Sequence, residues 1–130
     1  MLKKARWVAK ETRLRVKYVT SRDCIFCKIV AGEIKTEFVD QTESAVAFAD
    51  INPVANVHVL IVPKKHIESV ETVTQADHQE LVGLFLLAAK IAKMKKLGAY
   101  RLGFNAGAYQ HVPHLHMHLL AGEGAHLTRI

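Results

Sequence analysis

Along most of the chain the apolar positions fall into short runs separated by polar turns, and one long stretch repeats them at the spacing of a helix face. Phe38-Val39, a polar turn over Asp40–Ser44 and the run Ala45-Val46-Ala47-Phe48-Ala49 predict a hairpin between Val39 and Asp50, closed by Asp50-Ile51-Asn52-Pro53. The segment from Val57 to Val62 is apolar except for His58 and rich in β-branched residues, as expected of a central strand covered on both faces. Pro63 ends it, because proline cannot donate to a ladder. Thr74 reads as a helix N-cap with Gln75 and Asp77 in the first turn, followed by Leu81, Leu84, Phe85, Ala88, Ile91 and Ala92 at helical spacing. Lys93, Lys95 and Lys96 suit the negative end of that helix, and Gly98 is the expected residue beyond its cap. Tyr100–Asn105 and His114–Leu120 predict two further strands, the second with strict alternation. One long helix among strands, without repeated β-α-β units, predicts an α+β fold with an antiparallel sheet under helical cover.

Length and composition fit that picture. A chain of 130 residues suits one domain with a core of its own, and no run approaches the roughly 20 apolar residues of a membrane helix. The net charge of +6 changes meaning once it is located. Residues 1–22 hold eight Lys or Arg against Glu11 alone, whereas residues 23–130 hold 10 basic and 11 acidic groups. The chain therefore divides into a basic N-terminal extension, 1–22, and a nearly neutral domain, 23–130. The extension has no continuous apolar core of the secretory type; it reads as a flexible arm, an organelle-type leader or sequence upstream of the translation start, and no function is assigned to it. Nucleic-acid binding rests on this arm alone and is not expected. Cys24 and Cys27 stand in a C-x-x-C spacing, which without a secretory signal points to metal or redox chemistry before a disulfide, and to the cytoplasm.

The most informative stretch is Gln110-His111-Val112-Pro113-His114-Leu115-His116-Met117-His118-Leu119. In a strand, His114, His116 and His118 project from one face, about 6.5–7 Å between successive positions, while Leu115, Met117 and Leu119 enter the core on the other. Three imidazoles in a row are costly to bury without partners. They suit a metal or phosphate site, or a nucleophile with proton carriers working near pH 7.

This stretch resembles the signature of the histidine triad nucleotide hydrolases. Cys24–Ile34, Ala47–Pro53 and His58–Ile67 are similar to the nucleotide-binding protein branch of that family, and the resemblance covers about residues 24–122. It implies a roughly five-stranded antiparallel sheet with one long helix and a short N-terminal helix. It also implies hydrolysis of P–N or related bonds at the α-phosphate of purine nucleoside monophosphate conjugates. His116 would attack as nucleophile, giving a nucleotidyl-histidine that water then cleaves, with His114 and His118 donating hydrogen bonds and His58 near the site. Asp50 would accept the ribose hydroxyls, Phe26, Ile29, Phe48 and Ile51 would wall the base, and Asn105, Gly107 and Gln110 would orient the phosphate.

In some members the counterparts of Cys24, Cys27, His66 and His114 form a structural Cys2His2 zinc site, the alternative here being two free thiols. No organic cofactor is expected, and the family's habit implies a homodimer through the long helix and an edge strand. Two departures stand out: only four residues separate Asn105 from Gln110, with Tyr109 in place of the usual glycine, and His111 occupies a position where serine is common. Cleavage of dinucleoside polyphosphates, or a nucleotide-binding or zinc-stabilised interaction module without turnover, are the competing readings. His118 speaks against the transferase branch, which has glutamine there.

Overall fold

The computed structural model describes residues 23–126 and 130, so the basic extension lies outside the described residues. A short helix α1 (Ile25–Val30) precedes the hairpin β1 (Phe38–Gln41) and β2 (Ala45–Ala49), then β3 (Val57–Pro63), the long helix α2 (His78–Met94), β4 (Arg101–Gly103) and β5 (Met117–Ala121). The five strands form one antiparallel sheet in the order β1-β2-β3-β5-β4, which makes β3 central. Its side chains divide as a strand buried on both faces requires. Val59 and Ile61 pack with Leu84, Leu87 and Ile91 of α2, while Leu60 and Val62 pack with Phe26, Cys27 and Ile29 of α1.

Thr74 caps a 3-10 turn, Gln75–Asp77, that runs into α2, and Asp77 returns the bond to the Thr74 backbone. Lys65 pairs with Asp77, tying the segment after β3 to the start of the helix. Two details differ from expectation. The helix stops at Met94, and Lys96, at φ 55°, takes the left-handed position expected of Gly98; Leu97 N–H then closes back on the Ala92 carbonyl. The buried stripe is Leu84, Leu87, Ala88, Ile91 and Ala92, so Phe85 is 53% exposed and not part of it. Val82, Phe85 and Leu86 instead form a second apolar stripe that the rest of the described chain leaves uncovered.

The strand expected from His114 begins at Met117. Pro113 sits in the preceding turn, and the amide of Leu115 bonds to the carbonyl of Ile67 outside the β3–β5 ladder.

Candidate active site and metal centre

Although His114 and His116 precede β5, the alternation persists through them. Leu115, Met117 and Leu119 enter the α2 side of the sheet, whereas His114 and His116 meet the ring of Phe26 edge-on at 5.8 and 5.2 Å. Farther along, β5 pairs Leu120 with His58 and His118 with Leu60, which makes His58 and His118 diagonal neighbours on one face, rings 5.2 Å apart. His116 and His118 stand 5.0 Å apart. All four imidazoles are buried.

Hydrogen bonds assign the ring nitrogens. Nδ1 of His116 lies 2.7 Å from the carbonyl of His114. A carbonyl only accepts, so Nδ1 carries the proton and Nε2 keeps its lone pair. Burial holds His116 below the usual histidine range, with the His114 carbonyl opposing the shift. Burial favours an uncharged ring and the Nδ1 bond leaves its lone pair on Nε2, the form in which an imidazole can act as a nucleophile. Burial, reinforced by the neighbouring His116 and His58, pushes His118 down to about 4. Its Nε2 is buried and has no hydrogen-bond partner among the described residues.

A histidine whose folded pKa lies below its unfolded value near 6.5 stabilises the fold above that pH; the contribution is lost as the pH falls from about 6.5 toward 4. Melting temperature should drop across this window, and the drop should be shallower in His118→Gln, which has nothing to titrate there. Identical slopes in the two proteins would refute burial of His118 as a neutral ring.

Asp50 follows β2 and is held by its own turn: Oδ1 accepts from the amide of Asn52 at 2.8 Å, while Oδ2 lies 3.3 Å from His58 Nε2. Phe26 and Phe48 meet edge to face at 5.6 Å, and both are buried with Ile29 in the α1 cluster beside the histidines. Ile51 projects into solvent, 91% exposed. The structure thus gathers Phe26, Phe48, Asp50, His58, His114, His116 and His118, while Asn105, Gly107 and Gln110 stand on the connection between β4 and β5. The Asn105 amide donates to the Ile130 carbonyl, and that of Gln110 to the carbonyls of Glu68 and Val112. Gly107 opens a 3-10 turn at φ 62°.

On the other flank of His114, Cys24, Cys27 and His66 converge. Nδ1 of His114 lies 3.3 Å from Cys24 Sγ, 3.6 Å from Cys27 Sγ and 3.2 Å from His66 Nδ1, and Cys27 Sγ is 3.3 Å from His66 Nδ1. Zinc bonds of ~2.3 Å to sulfur and ~2.0–2.1 Å to nitrogen, at tetrahedral angles, separate donor atoms by about 3.3 Å for two nitrogens, about 3.6 Å for nitrogen and sulfur and about 3.8 Å for two sulfurs. The four atoms fit such an ion. The outer contacts fit as well, since His114 Nε2 stands 2.8 Å from the Pro63 carbonyl and so holds the proton, leaving the Nδ1 lone pair to the cluster. The two thiols are not joined in a disulfide. The contact with Cys27, with His114 and His66 adding, holds the Cys24 thiol far below its ordinary range against the cost of burial, favouring the thiolate that zinc binds.

Sequence reading passed over the main-chain partners that set these rings, the carbonyls of Pro63 and His114 and the amide of Val54, which donates to His58 Nδ1, because side-chain identity does not encode them. The Lys65–Asp77 pair left a fainter trace, a lysine beside His66 and an acid at the start of the helix.

Comparison with known proteins agrees with this geometry. Residues 23–128 match the family model described as scavenger mRNA decapping enzyme C-term binding. The purine nucleoside phosphoramidase of Escherichia coli is 39% identical over 107 residues, covering 78% of this chain and 89% of that protein. Among solved structures, a histidine triad protein from Clostridium difficile superposes with a TM-score of 0.77 at 39% identity, covering 81% of this chain and 95% of that one. A HIT family hydrolase from Legionella pneumophila gives 0.75 at 41%, covering 78% and 94%. With its histidines alternating into one buried cluster on this five-stranded sheet, the chain belongs to the histidine triad family.

Proposed function

We propose that this protein is a nucleotide hydrolase that cleaves P–N or related bonds at the α-phosphate of purine nucleoside monophosphate conjugates. The observation that carries the reading is the His116 ring: its Nδ1 proton is committed to the His114 carbonyl, so Nε2 presents a lone pair beside His118. In the first step that lone pair forms a P–N bond as the bond to the leaving amine breaks, and the amine departs with the electron pair and takes up a proton. In the second, water adds to phosphorus and gives up a proton, which balances the one taken up by the amine, the bond to Nε2 breaks, and the monophosphate leaves with His116 restored.

Asp50 is assigned to the ribose hydroxyls, and Phe26, Ile29, Phe48 and Ile51 to the base. Asn105, Gly107 and Gln110 are assigned to the phosphate. The likeness to the E. coli purine nucleoside phosphoramidase supports the substrate class. A brief acid quench with adenosine monophosphate phosphoramidate should reveal a nucleotidyl adduct by intact mass. No adduct together with no released monophosphate would favour a nucleotide-binding module instead.

The reading extends to zinc at Cys24, Cys27, His66 and His114, which removes His114 from the list of catalytic donors. It extends also to a homodimer, supported by the uncovered stripe of Val82, Phe85 and Leu86 on α2 together with Tyr100 and Leu102 at the edge strand β4. Phe85→Asp with Leu86→Asp should halve the mass measured by light scattering while leaving the circular dichroism spectrum unchanged; a wild-type monomer would end the dimer reading. No helix among the described residues is long and apolar enough to cross a membrane. The cytoplasm remains the compartment this reading expects, because its reducing conditions preserve thiolate ligands.

A further inference from the structure

Asp50, His58 and His118 form a second group of potential ligand atoms, with His58 Nε2 3.3 Å from Asp50 Oδ2 and 2.9 Å from His118 Nδ1. By spacing alone this trio resembles a two-histidine, one-carboxylate metal site. One main-chain contact argues otherwise. The amide of Val54 donates to Nδ1 of His58 at 3.2 Å.

We propose that Val54, acting through His58, fixes the proton of His118 on Nε2 and by the same contact keeps this trio from binding a metal ion. A neutral imidazole has one N–H and one lone pair. Because the Val54 amide requires the lone pair of His58 at Nδ1, the His58 proton sits on Nε2. That N–H faces Nδ1 of His118, which must then supply a lone pair of its own, so the His118 proton is placed on Nε2. This is the buried nitrogen without a partner among the described residues. The chain of contacts therefore turns a backbone amide outside the sheet into an N–H donor beside the lone pair of His116. Burial disfavours a charged form of either His58 or His118, which keeps the neutral rings this logic needs.

A metal ion on His58 Nε2 would move the ring proton to Nδ1 and set it against the Val54 N–H, two donors face to face. The amide itself is held in place. Its loop is bonded through Asn56 N–H to the Glu123 carbonyl at 3.1 Å, and Gly124, at φ 93°, packs so close that a Cβ there would stand 2.5 Å from the Val54 carbonyl. Asp50, capped by Asn52 N–H within the same loop, adds an acceptor on the His58 Nε2 side. Val54 is thus a positioning residue. Its purpose in turnover rests on the hydrolase reading, but the tautomers do not, and they are measurable without substrate.

Long-range proton–nitrogen correlation of the full chain labelled with 15N-histidine, at pH 7.5, is expected to show His58 and His118 both as Nε2–H tautomers. An Nδ1–H signature for either ring overturns the proposal whatever the activity proves to be. Val54→Pro removes the amide hydrogen, while also exchanging the isopropyl group for a ring that fixes φ at about −65°. It should release His58 to the other tautomer, add one equivalent of bound zinc over the wild type when the protein is incubated with zinc alone, and lower kcat roughly 10²-fold with little change in KM. The added zinc should vanish in Val54→Pro with Asp50→Ala. A folded Val54→Pro protein with wild-type tautomers and zinc content overturns the inference; if the variant fails to fold, the wild-type tautomers decide it.

Discussion

Replacing His116 by alanine is expected to abolish the nucleotidyl adduct and to lower release of nucleoside monophosphate by roughly 10⁴-fold or more, as removal of a covalent nucleophile does. The structural cost should be small, because His116 packs edge-on against Phe26 and its ring bonds, among the described residues, to the carbonyl of His114, two residues away. Removing it relieves a buried polar ring and leaves a small void, so the folded protein should still bind the nucleotide product. His118→Ala should also slow turnover, but with the adduct still forming, since the attacking lone pair is intact. Measuring adduct and product together therefore separates the two roles. A His116→Ala protein that turns over at the wild-type rate would remove the nucleophile assignment, and with it the reason for a lone pair poised in this pocket.

Much of the fold was legible because burial leaves a simple trace where an element is covered on two faces or on one. Val57–Val62 read as a central strand and is one, with alternate residues shared between the clusters of the two helices. The alternation of Leu115, Met117 and Leu119 with histidines survives even where the ladder stops. The errors fall where more than one partner competes for the same residues. Phe85 satisfied helical spacing but belongs to a second stripe with Val82 and Leu86, and a single chain's pattern does not say which of two apolar stripes faces the sheet. At the helix end, the backbone took the left-handed turn at Lys96, two residues before the glycine best suited to it, because the Leu97 amide reaches the Ala92 carbonyl there.

For the site, residue types and spacings were enough to name the side chains that cluster, and not enough to say which nitrogen of each ring carries the proton. His114, His116 and His118 look equivalent in sequence. In the structure they differ by their acceptors and donors: His114 gives its Nε2 proton to the Pro63 carbonyl, His116 its Nδ1 proton to the His114 carbonyl, and His118 receives at Nδ1 from His58. One ring is turned toward the thiols, one presents a lone pair, and one presents an N–H. Those differences arise from main-chain carbonyls and amides whose direction depends on the folded path of three separate segments.

That division of labour gives the second large effect. If His114 serves a metal, purified protein should carry close to one zinc per chain, and removing it with a strong chelator should destabilise the domain by about 3 kcal/mol or more. Such a loss lowers the melting temperature by roughly 10 °C for a domain of this size. The cost arises because two thiols and two imidazoles, linked by contacts of 3.2–3.6 Å, lose the charge that offsets their burial. Cys27→Ser should reproduce both the zinc loss and the lower melting temperature, and Cys24→Ser should do the same while leaving the start of α1 intact, since a serine hydroxyl at the N-cap can accept from the Cys27 amide as Cys24 Sγ does. Catalysis should fall less than stability, because His116 keeps its proton on Nδ1 as long as the His114 carbonyl stays in place. Zinc-free protein that melts at the same temperature as protein saturated with zinc would leave two buried thiols with no metal to hold, and would reduce the role of His114 to its contacts with them and with the Pro63 carbonyl.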